Sequence, residues 1–343
     1  MTGLYAFVVM HKSHPGELYA IRKKSPLIAA ETKDGLVFAS DVTAVMSECD
    51  EFYRIPEDTL AVAGEDGLKF FDDSGEEVLL KPEKILWSRD AAEKNGFPHY
   101  MLKEINEEPE VIEKTAARFI KDGIPDFATA FSEIAVATTK AYMTQCEVLY
   151  LAAVYLAYRG GRISRDECER LTSVMREQVP KAVAAVIADN NSKEIAEKIA
   201  GAEHLFYIGR GIDSAVCIEA SLKLKEISYL HSEAYAAGEL KHGTISLVEN
   251  GTPVIAVITD SALADKTMMN LAEVKARGAA AYVFSSVDGV KSDAKLPHVS
   301  DKEDIFDVFP MLTYLQLLAY HTSLTRGCDV DQPRNLAKSV TVE

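Results

Sequence analysis

Glu219, Lys223 and Glu226 recur at i, i+4 and i+7 in the stretch EASLKLKEISYLHSEAYAAGELKHG, Glu219 to Gly243. If that stretch opens as a helix, the three share one face. A carboxylate there can shuttle a proton, and a lysine beside it can hold substrate oxygens. The same spacing also describes a solvated ion pair of small energetic value, and on spacing alone that is the commoner outcome. Further on, AAGELKHG supplies small residues for close backbone approach, followed by Lys241 and His242. A histidine beside a glycine in a loop is an acid/base candidate, although capping and packing roles are commoner. Near the C-terminus Lys338 has apolar flanks, Leu336, Ala337 and Val340. They would suit a desolvated amine that attacks a carbonyl, whereas most lysines so placed are solvated surface residues. GRGID, 209–213, lies between a strand pattern and a helix pattern, where N–H groups and the helix dipole can hold an anion. A tight strand-to-helix connection explains it equally well, and no G-K-[ST] follows to make a P-loop.

These residues need elements to position them. The first ninety residues read as β-rich: LYAFVVM, ELYAIRK, LIAAET, LVFASD and TLAVAG are short apolar or alternating runs between Pro, Gly and Asp turns. KFFDDSGEEVLL reads as a hairpin. From His99 the pattern turns helical. Helices are expected over 134–160, across 165–200, over 213–230, 261–277 and 304–326, with buried strands at 204–211, 252–259 and 280–286. Alternating helices and near-continuously apolar strands predict a parallel sheet covered on both faces, an α/β architecture.

Composition bounds the partners. The chain has 343 residues and a formal net charge of −16, which argues against nucleic acid or an anionic membrane as the main partner. Cys49, Cys146, Cys168, Cys217 and Cys328 show no C-x-x-C pair, the pattern of reduced cytosolic thiols. No histidine cluster has metal-ligand spacing, no uncharged apolar run reaches the roughly 18–20 residues of a membrane span, and no signal peptide is recognisable. The expectation is a cytoplasmic protein without metal or cofactor.

Longer motifs then carry a resemblance. ALKLKEISYxHxEAYAAGELKHG appears here as Ser221-Leu222-Lys223-Leu224-Lys225-Glu226 onward, and DVDQPRNLAKSVTVE closes the chain from Asp329. EIAVATTKAYMTQ (133–145), SHPGELYAIRKKSPL (13–27), FASDVTAVM (38–46) and HYMLKEINEEPEVI (99–112) occur in the same order. Over essentially its whole length the chain resembles the glucosamine-6-phosphate synthases, the isomerising glutamine–fructose-6-phosphate amidotransferases. The resemblance implies a glutaminase domain that releases ammonia and two sugar-isomerase (SIS) subdomains of flavodoxin-like α/β fold. Fructose 6-phosphate is there opened, aminated and isomerised to glucosamine 6-phosphate. Carried over, Glu226 would move a proton between sugar C1 and C2, His242 would assist ring opening across a subunit interface, and Lys338 would form the Schiff base. Lys223 and Glu219 would hold substrate hydroxyls, Val136 and Ala337 would line the pocket through their backbones, and Arg334 would belong to the tail joining the two sites. A homodimer is implied, with fructose 6-phosphate and ammonia or glutamine as small partners.

Two blocks of the family pattern have no counterpart. The chain starts Met1-Thr2-Gly3 where the family glutaminase starts with its catalytic cysteine, and the glutamine-binding segments are missing. After KDGIPDF the text jumps, near Asp126–Ala128, to the far end of the first SIS subdomain. The Gly-Thr-Ser turn and the Ser-x-Ser-Gly-x-Thr phosphate cradle are passed over. The expected organisation is a β-rich glutaminase remnant (1–88), a connecting helical segment (89–127), one SIS domain (128–327) and a C-terminal active-site tail (328–343). The remnant should leave an open sheet edge or a bare apolar face, coverable by dimerisation. Two functions stay open: a synthase with an inactive glutaminase half, or a crippled SIS module that only binds a sugar phosphate or a protein. The missing cradle favours the second, because those hydroxyls and N–H groups supply much of the substrate binding energy.

Overall fold

The computed structural model describes residues 3, 5–45, 48–85, 94–127 and 139–334. They form two compact units, one within residues 1–96 and one within 97–336.

The first unit holds β1 (Tyr5–His11), β2 (His14–Lys23), β3 (Ile28–Thr32), β4 (Gly35–Ala39), β5 (Glu51–Arg54), β6 (Leu60–Gly64), β7 (Gly67–Phe71) and β8 (Glu83–Lys84). They make two antiparallel sheets, ordered β1-β2-β6-β7 and β4-β3-β5-β8. Alternation along the strands sends Ala20, Ala29, Ala61 and Phe70 into a shared core with Leu27 and Ile55. The expected hairpin forms after β7: Asp72 Oδ1 accepts from the N–H groups of Ser74 (2.9 Å) and Glu76 (3.0 Å), an Asx turn that reverses the chain. β1 is an edge strand. Its Phe7, Val8, Val9 and Met10 are 39, 46, 52 and 73% exposed, so both of its faces meet solvent.

The second unit begins with α1 (Tyr100–Phe119), the short strands β9 (Ile120–Lys121) and β10 (Ile124–Pro125), and α2 (Thr139–Arg159). α3 (Arg165–Ser173), a π-helical turn (Val174–Gln178), α4 (Val179–Ala188) and α5 (Ser192–Ile199) follow. The sheet is then laid down as β11 (His204–Gly209), α6 (Ile212–Ser228), β12 (His231–Ala236), β13 (Pro253–Ile258), α7 (Ala264–Lys275), β14 (Ala280–Ser285) and β15 (Ala294–Lys295), before α8 (Val308–Thr325). Its five strands are all parallel, in the order β12-β11-β13-β14-β15. Both faces are covered. Leu205, Tyr207, Ile255 and Val257 join one core with α6 and α8, while Phe206, Ile208, Val254 and Ala256 join another with α7. That two-sided burial is why these strands read as continuous apolar runs.

Three features differ from the expectation. HSEAYA, absent from the expected strands, is β12; it is an edge strand with exposed His231 and Ala236, so it lacks the apolar signature of its neighbours. The 89–127 segment is more than a connector, because α1 buries Met101, Ile105, Ile112, Ala116 and Phe119 in the second unit's main core. α8 is buried at fifteen of its eighteen residues, packed against α1, α4, α5 and α6. Two carboxyl groups are also sealed inside. Glu108 on α1 shares a hydrogen bond of 2.7 Å with Thr313 Oγ1, and burial pushes its carboxyl up to about 8. Glu147 on α2 has no hydrogen-bond partner for either oxygen among the described residues, and burial pushes it up to about 9.

Candidate functional site

β11 ends at Gly209, and α6 starts three residues later, at Ile212. A Cβ on Gly209 would stand 2.6 Å from the backbone carbon of Asp213 and 2.7 Å from its oxygen, so the strand and helix approach this closely only through glycine. Gly211 caps the helix at φ 58°. Asp213 is buried and pins the first turn to the end of β13: its carboxylate accepts from the Thr259 N–H at 2.9 Å and hydroxyl at 2.6 Å. Burial nevertheless pushes its carboxyl up to about 6. The close approach at Gly209 and the Asp213–Thr259 bonds make GRGID a tight strand-to-helix connection here. Gly209→Ala should destabilise the second unit by about 1–3 kcal/mol through overpacking. Thermal unfolding checks this, and a change below about 0.5 kcal/mol would contradict it.

Along α6, Glu219, Lys223 and Glu226 do share one face. Lys223 Nζ lies 3.0 Å from Glu226 Oε2 and 3.8 Å from Glu219 Oε1, so one ammonium bridges two carboxylates. The face is not the solvated one that spacing favoured, since the Glu219 side chain is only 11% exposed. Burial pushes the Glu219 carboxyl up, the Lys223 charge pulls it back and Glu226 adds to the rise.

Tyr142 and Cys146 of α2 lie close enough to feel Glu219: burial first, and then the charges of Cys146 and Glu219, push the Tyr142 hydroxyl well up, and the Cys146 thiol is raised by burial and by Glu219. One turn further along α2, the Tyr150 hydroxyl is raised by burial first and also by Asp213.

The remaining expected site residues are not gathered in the same way. His242 is exposed at the end of a 3-10 turn, Leu240–His242; its N–H donates to Glu239 O at 2.9 Å. Its ring makes no hydrogen bond among the described residues, and none reaches Glu226. Arg334 lies against Tyr229, just past α6, with its guanidinium carbon 4.1 Å from the ring centroid. Val136, Ala337 and Lys338 lie outside the described residues. Asp213, Tyr142, Cys146 and Tyr229 escaped the sequence reading. Only Asp213 left a trace there, as an acid just inside a glycine turn. Among the described residues no group of three His, Cys, Asp or Glu could hold a metal ion. Clefts of 620, 380 and 290 Å³ occur in the molecule, and none is lined by Glu219, Lys223, Glu226 or His242.

The SIS domain family matches residues 198–299, which contain β11 through β15 and the Glu219–Glu226 face. The glutamine–fructose-6-phosphate aminotransferase (isomerizing) of Clostridium tetani is 33% identical over 456 residues, covering 99% of this chain and 75% of that protein. The chain belongs to this family. The Clostridium acetobutylicum enzyme of the same name is 32% identical over 464 residues, again with 99% and 75% coverage. An alignment of 456 residues drawn over a chain of 343 leaves much of the aligned span without a counterpart here. Among solved structures, the C-terminal domain of glucosamine-fructose-6-phosphate aminotransferase from Francisella tularensis superposes with TM-score 0.60 at 24% identity. It covers 70% of this chain and 100% of that one, and it supports the α/β SIS fold.

Proposed function

We propose that this chain aminates and isomerises fructose 6-phosphate slowly, with ammonia as the nitrogen source, and does not hydrolyse glutamine. The observation that carries this reading is the Glu219–Lys223–Glu226 face, a lysine held between two carboxylates, the first of them largely buried. In this reading the amine of Lys338 adds to the open sugar's carbonyl and water leaves as the imine forms. Ammonia then displaces the Lys338 amine from that imine. Glu226 takes a proton from C1 and returns it to C2, which leaves the amino group on C2 and the carbonyl at C1. Lys223 and Glu219 hold hydroxyls, Val136 and Ala337 contribute backbone groups, and His242 assists ring opening from the partner subunit. Its exposed ring, free of hydrogen bonds among the described residues, suits a group offered to a neighbour.

Slowness follows from the grip. The family's hydroxyl-rich phosphate cradle has no counterpart in the sequence. A module that binds a sugar phosphate without turnover is therefore the second reading. The glutaminase half is taken as inactive because the glutamine-binding segments of the family pattern have no counterpart in the sequence. Incubation with fructose 6-phosphate and ammonium should yield a slow, Lys338-dependent accumulation of glucosamine 6-phosphate, lost in Lys338→Ala. No product in the unaltered chain would leave the binding module, and glutamate release from glutamine would refute the inactive glutaminase.

We further propose a homodimer built on β1. Residues 3–16 contain no acid in a chain of charge −16, so two copies repel least there. Antiparallel pairing about Val8 sets Phe7 opposite Val9 in both halves, a favourable aromatic–β-branched pair. Sedimentation should show a dimer strengthened by salt and dissociated by Val8→Lys, with the circular dichroism unchanged. A monomer at all salt concentrations would remove the proposal. The five unpaired cysteines support a reducing, cytoplasmic setting.

A further inference from the structure

α2 has two unlike sides. Met143, Glu147 and Leu151, at i, i+4 and i+8, are buried, and the helix packs against α1. On the opposite side Leu149, Ala153 and Leu156 form a stripe. Leu149 is 67% exposed and Leu156 68%, and Ala153 is open as well. The stripe continues the half-buried Tyr142 and Cys146 at alternating steps of four and three. That is the spacing of a seam which pairs with another helix. The stripe is also bare of charge. Between Lys140 and Arg159 the sequence holds one charged residue, Glu147, and that one is buried. A net charge of −16 makes most of the surface repel a second copy, and this helix face is spared. Exposed leucines scattered singly need no explanation, whereas a continuous apolar stripe marks an interface.

The order of the residues names the occupant. Leu149 to Leu156 reads LYLAAVYL, and its reverse, LYVAALYL, differs only by exchanging Leu151 with Val154. A twofold axis between Ala152 and Ala153 therefore sets each residue of an antiparallel helix pair opposite a like one. Leu149 meets the partner's Leu156, and Ala152 meets the partner's Ala153. The alanines at the crossing let the helix axes close to about 8 Å, and the leucines seal either side. A contact between identical copies across a twofold axis requires a self-complementary patch, and an unrelated partner would not select one.

We propose that α2 is a second self-association surface, on which two copies of the chain pair their Leu149–Leu156 stripes antiparallel about Ala152 and Ala153. The contact is independent of β1 and of the reaction. A single helix pair lies at the low end of interface sizes, so the pairing is reversible and grows with concentration.

The test uses the full chain carrying Val8→Lys, which removes any contact through β1. Sedimentation over a rising concentration series should show reversible dimerisation. Leu149→Lys or Leu156→Lys should weaken it by about tenfold or more, as for the loss of a central anchor, with the unfolding temperature unchanged. Orientation is read by oxidative cross-linking of cysteine variants, with the linked peptides identified by mass. Leu149→Cys mixed with Leu156→Cys should give the mixed disulfide, and Leu149→Cys alone should not link to itself. In the antiparallel pair two such positions lie seven residues apart along the axes, about 10 Å. A disulfide tolerates roughly 7 Å between Cα atoms. Self-linking of Leu149→Cys as efficient as the mixed pair would overturn the antiparallel pairing. Dimerisation indifferent to both lysine substitutions would place the contact elsewhere and overturn the proposal. A chain that stays monomeric throughout the series would overturn it too, and poor maleimide labelling of Leu149→Cys in that monomer would assign the stripe to another part of the same chain.

Discussion

If the proposed reaction holds, Glu226→Gln should lower ammonia-dependent formation of glucosamine 6-phosphate by about 10²–10⁴-fold, the usual contribution of a positioned general base. The substitution preserves volume, and the amide oxygen can still accept from Lys223 Nζ, now 3.0 Å from the carboxylate. Glu226 is only half-buried, so the exchange leaves no sealed polar group behind and the unfolding temperature should not move. What disappears is the ability to take a proton. Glu219→Gln should cost less, because Glu219 holds the lysine from 3.8 Å and is largely buried. Timed product measurements on both variants check this. A Glu226→Gln chain within about threefold of the parent would show that another group moves the proton.

Glu147→Met should stabilise the second unit by about 2 kcal/mol at pH 5, near the cost of one unpaired buried polar group, and by more as the pH rises. Both oxygens of Glu147 are sealed without a hydrogen bond among the described residues, and its carboxyl is pushed up from 4.5 to about 9 by burial alone. In the unfolded chain it ionises above pH 4.5, whereas in the fold it keeps its proton to about pH 9. Across that window the folded state binds the extra proton, so stability falls as pH rises, by at most roughly 1.4 kcal/mol per unit. Glu108 adds a second slope of the same sign that ends near pH 8. Methionine removes the Glu147 contribution and leaves that of Glu108. Denaturant unfolding of parent and variant at several pH values between 5 and 9 measures both. Parallel curves would show that Glu147 is ionised or partnered in the fold.

Periodicity located the parallel strands because β11, β13 and β14 are covered on both faces, which demands unbroken apolar runs. The same logic hid β12, an edge strand that mixes His231 and Glu233 with alanines. The site was half legible. Spacing placed Glu219, Lys223 and Glu226 on one helical face but could not tell its exposure. Exposure depends on distant parts of the chain, and Tyr142 and Cys146, which lie close enough to feel Glu219, come from some seventy residues away. Family motifs, rather than spacing, singled out Glu226 and His242. Tyr229 was invisible for a different reason: its contact with Arg334 comes from more than a hundred residues later in the chain.

The burial of α8 sets the timing of biogenesis. Helices α1, α4, α5 and α6 all pack on it, and it is the last helix of the unit to be synthesised. At about 5–20 residues per second, the ribosome takes roughly 10–45 s to pass from α1 to the end of α8. Throughout that interval the nascent unit carries apolar helix faces with no closing partner. The chain therefore emerges as a client for chaperones that shield such faces, and a stall just before Val308 would release a species prone to aggregate.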